Sequence, residues 1–124
     1  MRPRAYLPQQ VPIEAYGNGG FRFGGMSHRG SVLSLPSGIW GWGPTCIDEA
    51  DAAALQPVLD LAADLAFLIL GTGSTLARAP REVRAAFEEA RLGIEIMDTG
   101  AAARTYNVLL AEGRPIAAAL IAVE

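Results

Sequence analysis

The hydrophobic pattern changes character near the middle of the chain. Residues 11–43 contain short β-prone stretches, at 11–16, 21–23, 31–35 and 39–42, which glycine-rich turns separate. Glycine reaches positive φ at no steric cost, so Gly-Asn-Gly-Gly at 17–20 and Gly-Gly at 24–25 are typical of tight turns. This part of the chain predicts an antiparallel β-meander or a pair of hairpins.

The second half alternates helix-like and strand-like segments. Residues 47–61 are acidic first and apolar later, as at the start of a helix, and Pro57 bends or divides that helix. Residues 65–70 form an apolar run of buried-strand length. Pro80 opens a helix whose apolar face includes Val83 and Phe87, and Gly93 ends it.

The last unit reads as strand, helix and strand. An apolar strand at 94–97 leads into a polar turn in which Asp98 or Thr99 caps the next helix. Apolar residues recur in that helix at helical spacing, and Gly113 is the expected stop. Residues 116–123 are apolar at every position, which is typical of a strand buried between two layers.

These elements predict an α/β fold with one compact three-layer domain over residues 1–124. The alternation favours a mixed, mostly parallel central sheet with right-handed crossovers, preceded by the N-terminal antiparallel β-meander. We expect residues 1–10, which are rich in proline and polar side chains, to form a flexible N-terminal arm.

Composition excludes several classes of protein. A net charge of −3 and a pI of about 5.1 argue against a nucleic-acid partner. No apolar run approaches the roughly 20 residues of a membrane helix, and the N-terminus lacks the apolar core of a signal peptide, so we expect a cytoplasmic protein. One cysteine and one histidine, Cys46 and His28, leave no soft-ligand metal cluster, and both are expected to be structural.

Polar residues cluster where two neighbouring parallel strands are expected to end. A ligand, if one exists, should bind in a crevice at such an edge, where the guanidinium of an arginine could hold a carboxylate or phosphate. In the alternative interpretation, Asp98 caps the helix and forms an ordinary ion pair with Arg104. The candidate ligand-binding residues are Gly71, Thr72, Gly73, Asp98, Thr99, Arg104 and Asn107.

Two short motifs resemble catalytic or cofactor signatures without their context. Gly71-Thr72-Gly73 follows a strand, but Leu76 stands where a dinucleotide fingerprint has its third glycine. Asp98-Thr99-Gly100-Ala101 matches the aspartic-protease tetrapeptide, yet it leads into a helix instead of β structure. We predict no catalytic residues and no cofactor, and the sequence favours a non-catalytic protein.

Trp40 and Trp42 alternate along one predicted strand and therefore share a face. Together with Phe21 and Phe23 they are expected to cover the helical layer as core. The alternative is an exposed aromatic patch for a protein partner, because tryptophan is enriched at interface hot spots.

Four segments together resemble one known family: GFRFGG (20–25), HRGSVLSLPSGIWGW (28–42), LILGTG (68–73) and MDTGAAARTYNVLLAEGRPIAAAL (97–120). This family was first catalogued as a domain of unknown function. It includes a mitochondrial complex I assembly factor and an adipogenesis-associated vertebrate protein. The resemblance covers nearly all of residues 10–123. It implies a three-layer α/β domain with a mixed sheet and no established enzyme activity. Many relatives carry cysteine where this chain has Ala103, so thiol chemistry does not carry over.

Two functional hypotheses follow. The first is a non-catalytic domain that binds unidentified protein partners and assists assembly of a membrane or respiratory complex without being an integral membrane protein. The second is a small-anion or metabolite binder, or an enzyme acting on such a molecule, that uses the crevice at 71–74 and 98–107. The sequence leaves the oligomeric state open.

Overall fold

A mixed five-stranded sheet forms the centre of the structure, which is a computed structural model that describes residues 7–124. The bounds of its strands are Ser31–Leu35 (β4), Gly38–Trp42 (β5), Phe67–Gly71 (β6), Gly93–Met97 (β7) and Ile116–Leu120 (β8). They lie in the order β5-β4-β8-β6-β7. Strand β4 runs antiparallel to both β5 and β8, whereas β6 runs parallel to β8 and β7. Every strand except β4 therefore points the same way, which confirms the predicted mixed, mostly parallel sheet.

A second, three-stranded sheet confirms the predicted N-terminal meander. Strands β1 (Ile13–Gly17), β2 (Gly20–Phe23) and β3 (Met26–Arg29) pair antiparallel in chain order. The β1–β2 turn has positive φ at Asn18 and Gly19, as the sequence pattern indicated. Strand β3 is not among the predicted strands, because Met26–Arg29 carries serine, histidine and arginine and no β-branched residue.

Two layers of apolar side chains cover the opposite faces of the central sheet. One face packs against the helices α1 (Gln56–Leu59) and α2 (Arg81–Glu89) through Leu55, Val58, Val83 and Phe87, among others. The other face packs against α3 (Thr99–Ala111) and the three-stranded sheet. The predicted three-layer arrangement is thus confirmed.

The aromatic residues of the N-terminal half lie on different faces of this sheet. Phe21 and Phe23 are buried in the layer that contains α3, whereas Trp40 and Trp42 pack against the α1–α2 layer. The expectation that all four cover one helical layer is therefore wrong. Phe21 and Phe23 belong to the separate three-stranded sheet, and their position depends on how that sheet docks.

Residues 47–61 do not form the predicted helix. The segment contains a 3-10 turn at Ile47–Glu49 and the single helical turn of α1, and a further 3-10 turn follows it at Ala62–Asp64. Pro57 lies in the first turn of α1, where its missing N–H costs nothing, so it neither bends nor divides a longer helix. The backbone instead follows the apolar contacts of Leu55 and Val58, which are fully buried.

The longer helices form as predicted except at one end. Asp98 caps α3 by accepting a hydrogen bond from the Ala101 amide at 2.9 Å, and Gly113 follows its end with a φ of 75°. Helix α2 ends earlier than expected: Arg91 adopts the left-handed conformation with a φ of 57°. Gly93 is already the first residue of β7 and is not the helix stop.

The part of the expected flexible arm that the structure describes is joined to the sheet. Leu7 exchanges two backbone hydrogen bonds with Ile39 on β5, at 3.0 and 3.2 Å. The side-chain amide of Gln10 donates to the Ile116 carbonyl at 2.8 Å and to the Ser34 hydroxyl at 3.2 Å. Leu7 and Gln10 are therefore hydrogen-bonded to the central sheet, residues 1–6 lie outside the described part of the chain, and the flexible arm stays a prediction.

Tyr106 on α3 holds the segment before β1 in place. Its hydroxyl donates to the Val11 carbonyl at 2.8 Å and lies 2.8 Å from the Ser34 hydroxyl, and the whole residue is buried. Burial raises the pKa of the Tyr106 hydroxyl to about 12, although the hydrogen bond with Ser34 acts in the opposite direction. The neutral phenol is thus the form that the fold requires.

This burial predicts a loss of stability at high pH. Tyr106 ionises in the unfolded chain near the ordinary tyrosine pKa of 10.0 and in the folded chain at about 12. The neutral Tyr106 phenol therefore contributes its full stabilisation of the folded state below pH 10. As the pH rises toward 12, the free energy of unfolding falls by about 2–3 kcal/mol. Urea unfolding followed by circular dichroism between pH 8 and pH 12 measures this slope.

The matched variants are Tyr106→Phe and Tyr16→Phe. Tyr106→Phe should cost about 1 kcal/mol at pH 8, because it leaves the Val11 carbonyl without its donor, and should remove much of the loss above pH 10. Tyr16 is 44% exposed, so Tyr16→Phe should keep the wild-type slope. Equal slopes in all three proteins would contradict this account.

Candidate functional site

The predicted polar crevice is present as a meeting of chain segments, but protein atoms fill it. Strands β6 and β7 are parallel neighbours, so the loop at 71–74 and the turn at Asp98 lie side by side. A Cβ on Gly71 would lie 3.0 Å from both the Cα and the Oγ1 of Thr99, and 3.1 Å from Leu120. Glycine is therefore required here because the start of α3 packs directly against the end of β6.

Thr99 is the centre of this contact. Its hydroxyl donates to the Ile121 carbonyl at 2.7 Å and accepts from the Gly73 amide at 2.9 Å, while its own amide donates to the Gly73 carbonyl at 2.8 Å. The residue is completely buried. One side chain therefore joins the ends of β6 and β8 to the start of α3.

Thr72 is engaged in the same manner. Its hydroxyl donates to the Thr75 carbonyl at 2.6 Å and accepts from the Ala77 amide at 3.2 Å, which closes the loop that follows β6. Asp98 caps α3, as described above. The polar groups of Gly73, Thr72, Thr99 and Asp98 are thus brought together as predicted, and each of them makes a hydrogen bond within the protein.

The two remaining candidates point elsewhere. Arg104 is exposed on α3, and no ion pair within 4.0 Å joins it to Asp98; the ion pair found within residues 7–124 is Arg22 with Glu14, at 3.4 Å. The Asn107 side chain accepts from the Ile13 amide at 2.8 Å and donates to the Ile13 carbonyl at 2.9 Å. Asn107 therefore pairs with β1 as a neighbouring strand would, and it fastens the small sheet to α3.

The residues considered for thiol, imidazole or metal chemistry are dispersed. Cys46 is exposed, whereas the His28 ring nitrogen lies 3.2 Å from the Ser31 carbonyl. Ala103 is buried. Within the described chain, no cluster of three or more His, Cys, Asp or Glu side chains could hold a metal ion.

The tryptophans border an apolar groove of about 230 Å³ between the β4–β5 hairpin and α1. Antiparallel pairing places Leu33 opposite Trp40, so the alternating side chains of the two strands form one apolar wall. Pro57 and Leu61 form the facing wall, and Asp60 and Ser37 lie at the rim. We call this feature the tryptophan groove.

The tryptophans themselves are half-buried. The Trp42 indole N–H donates to the Ala54 carbonyl at 2.9 Å, which fixes that ring against the connection between β5 and α1. The alternation of side chains along the two strands is enough to predict that Leu33 and Leu35 lie on the same face of the sheet as the tryptophans. The contribution of Pro57, Asp60 and Leu61 was not predictable, since the sequence pattern predicted a helix bent or divided at Pro57 and gave no sign of where its pieces would lie.

This geometry predicts that the Thr99 hydroxyl stabilises the fold. Thr99→Val removes the hydroxyl with little change in volume and leaves the buried Gly73 amide and Ile121 carbonyl unpaired. We expect a loss of about 2 kcal/mol or more in free energy of unfolding, measured in guanidinium chloride. Thr99→Ser keeps both hydrogen bonds and loses a methyl group, at about 1 kcal/mol. If the valine variant proves as stable as the serine variant, the hydroxyl does not have this role.

The fold, the hydrogen-bonded contact around Thr99 and the tryptophan groove define a small α/β domain, and no potential metal-binding group of three or more His, Cys, Asp or Glu occurs among its described residues. The chain matches the family model described as "Protein of unknown function (DUF498/DUF598)" over residues 13–121. It belongs to this family, and the resemblance noted in the sequence is confirmed.

Comparisons with individual proteins agree with this family membership. An uncharacterised protein of Rhodobacter capsulatus is 40% identical, over 90% of this chain and 84% of its own length. NADH dehydrogenase [ubiquinone] 1 alpha subcomplex assembly factor 3 of Rattus norvegicus is 30% identical over 93% of this chain, which spans only 62% of that protein. A crystal structure described as an outer membrane protein from Bartonella henselae superposes with a TM-score of 0.91 and 48% identity, covering 96% of this chain and all of the other.

Proposed function

We propose that this protein is a non-catalytic protein-binding domain that assists the assembly of a membrane-associated respiratory complex. The tryptophan groove is the observation on which this proposal depends. It combines two large aromatic side chains that are only half-buried with apolar walls, and such anchors and pockets dominate the energy of protein interfaces. The assembly role is an analogy with the rat assembly factor, which matches nearly the whole chain.

The polar residues at 71–74 and 98–107 support a protein-binding domain better than a metabolite site. The polar groups that the sequence suggested for an anion are engaged in joining β6, β8 and α3, and Arg104 stands apart from them on an exposed face. A small-anion binder would have to open these hydrogen bonds. The protein-binding function needs no such rearrangement.

The expected place of action is the cytoplasmic side of the membrane, where the protein would meet the complex from outside the bilayer. None of the helices within residues 7–124 has the length and apolar character that crossing a bilayer demands. The protein would therefore reach a membrane complex through contacts with subunits of that complex.

Removing the protein should reduce the amount of assembled respiratory NADH dehydrogenase. In a strain that lacks the gene, we expect several-fold less complete complex on native gels and an accumulation of partial complexes. Wild-type protein should restore assembly. Trp40→Ala should restore it poorly, because it removes an anchor of the groove, whereas Val108→Ala on the 58% exposed Val108 of α3 should restore it fully.

Direct contact can be mapped in the same cells. A photo-crosslinking residue in place of Ser37, an exposed rim position, should capture a subunit or an assembly intermediate of the complex. The same residue in place of Arg81, on the exposed face of α2, should not. Normal amounts of complex in the deletion strain, or equal crosslinking from both positions, would contradict the proposal.

A further inference from the structure

The chain has an uneven distribution of charge that coincides with the tryptophan groove. Between Arg29 and Arg78 there is no basic residue. All the ionisable side chains in this interval except the lone cysteine are carboxylates: Asp48, Glu49, Asp51, Asp60 and Asp64. The rest of the chain carries a slight excess of arginine, so the negative net charge of the protein originates in this one segment.

The fold places this acidic segment next to the groove. Residues 47–64 connect β5 to β6 and pack over the same face of the sheet as Trp40 and Trp42. Asp60 itself lines the groove and is exposed. One of its carboxylate oxygens accepts from the side-chain amide of Gln56 at 2.8 Å. Within residues 7–124 no cation lies within salt-bridge distance of Asp60.

Other carboxylates of the segment are already held by neutral donors. Glu49 accepts from the amide and the hydroxyl of Thr45, at 2.7 and 2.9 Å, and these bonds lower the pKa of Glu49. Asp51 accepts from the Ala54 amide at 2.9 Å. None of these interactions neutralises charge, so the segment presents an uncompensated negative field beside an apolar groove.

From this juxtaposition we infer that the tryptophan groove binds a partner segment in which one or two large apolar side chains are flanked by arginine or lysine. The apolar side chains fill the groove of about 230 Å³ between Trp40 and Leu61. The flanking cations meet Asp60 and the acidic connection around it. An acidic segment of the same shape is repelled, so charge selects the partner and burial supplies the affinity. This inference rests on the proposed protein-binding function and specifies the chemistry of the partner.

A second copy of the chain is the main competing occupant. Leu76 is 68% exposed and is followed closely by Arg78, which is the same combination of apolar and basic groups. Insertion of this loop into the groove of another copy would be a head-to-tail contact, which continues into chains unless it closes into a ring. Self-association that depends on Leu76 is therefore a distinct and measurable outcome.

The protein provides its own reporter for the test. Trp40 and Trp42 are its only tryptophans, and both line the groove, so intrinsic tryptophan fluorescence reports on this site alone. The probe is a tryptophan-free peptide with blocked ends, Arg-Ser-Leu-Phe-Ser-Arg. Its controls replace both arginines with glutamate, or Leu-Phe with Ser-Ser.

We expect a saturable fluorescence change with the basic apolar peptide, with a dissociation constant on the order of 100 µM for so short a segment. Both control peptides should bind at least about tenfold more weakly. Asp60→Asn, which keeps an acceptor for Gln56, should weaken binding about threefold, whereas the exposed Glu89→Gln on α2 should leave it unchanged although it alters net charge equally. Raising the salt concentration should weaken binding in parallel.

Three results would overturn the inference: equal binding of the arginine and glutamate peptides, equal effects of Asp60→Asn and Glu89→Gln, or concentration-dependent self-association that Leu76→Ser abolishes. The first two leave the proposed assembly role intact if the deletion strain still lacks assembled complex. Conversely, discrimination between the peptides together with normal assembly in the deletion strain supports the groove chemistry and removes the assembly role.

Discussion

The whole structure depends on the insertion of its last strand into the middle of the central sheet. Strand β8 pairs antiparallel with β4 on one side and parallel with β6 on the other. It alone joins the β4–β5 hairpin to the parallel strands β6 and β7. All five of its residues are buried. Ala117 and Ala119 face the α1–α2 layer and Ala118 faces the α3 layer, which allows both layers to approach the sheet closely. Without β8 the two halves would share no continuous hydrogen-bonded sheet.

The polar residues near the carboxyl ends of the strands complete this arrangement. Thr99 links the residues that follow β6 and β8 through one buried hydroxyl, and Asn107 and Tyr106 hold the first strand and the segment before it against α3. An edge of a parallel sheet is a common place for a ligand, because loops and helix starts converge there. In this protein the same convergence supplies partners for the loops themselves. Buried polar groups of this kind stabilise one unique packing when every member is paired.

An apolar groove lies instead on the opposite face, beside the β4–β5 hairpin. The tryptophan groove is bordered by an irregular connection in which four of the five acidic residues are exposed, namely Asp48, Glu49, Asp60 and Asp64. The relatives of this chain include assembly factor 3 of NADH dehydrogenase, of which the chain spans 62%. In the proposed function, the two half-buried tryptophans of the β4–β5 hairpin and the acidic connection beside them would recognise a short segment of another protein by shape and charge together.

The sequence by itself determined the local elements: the glycine-punctuated meander, the strands at 65–70 and 94–97, the helix after Asp98 with its stop at Gly113, and the fully apolar last strand. Their signals are periodicity, capping and turn chemistry, all of which act over a few residues. Segment similarity likewise identified the family. The tertiary structure alone decided that residues 47–61 fold as short turns, that Phe21 and Trp40 face different layers, and that Asp60 borders a groove. Each of these depends on contacts between residues far apart in the chain, where packing of buried apolar side chains outweighs local propensity.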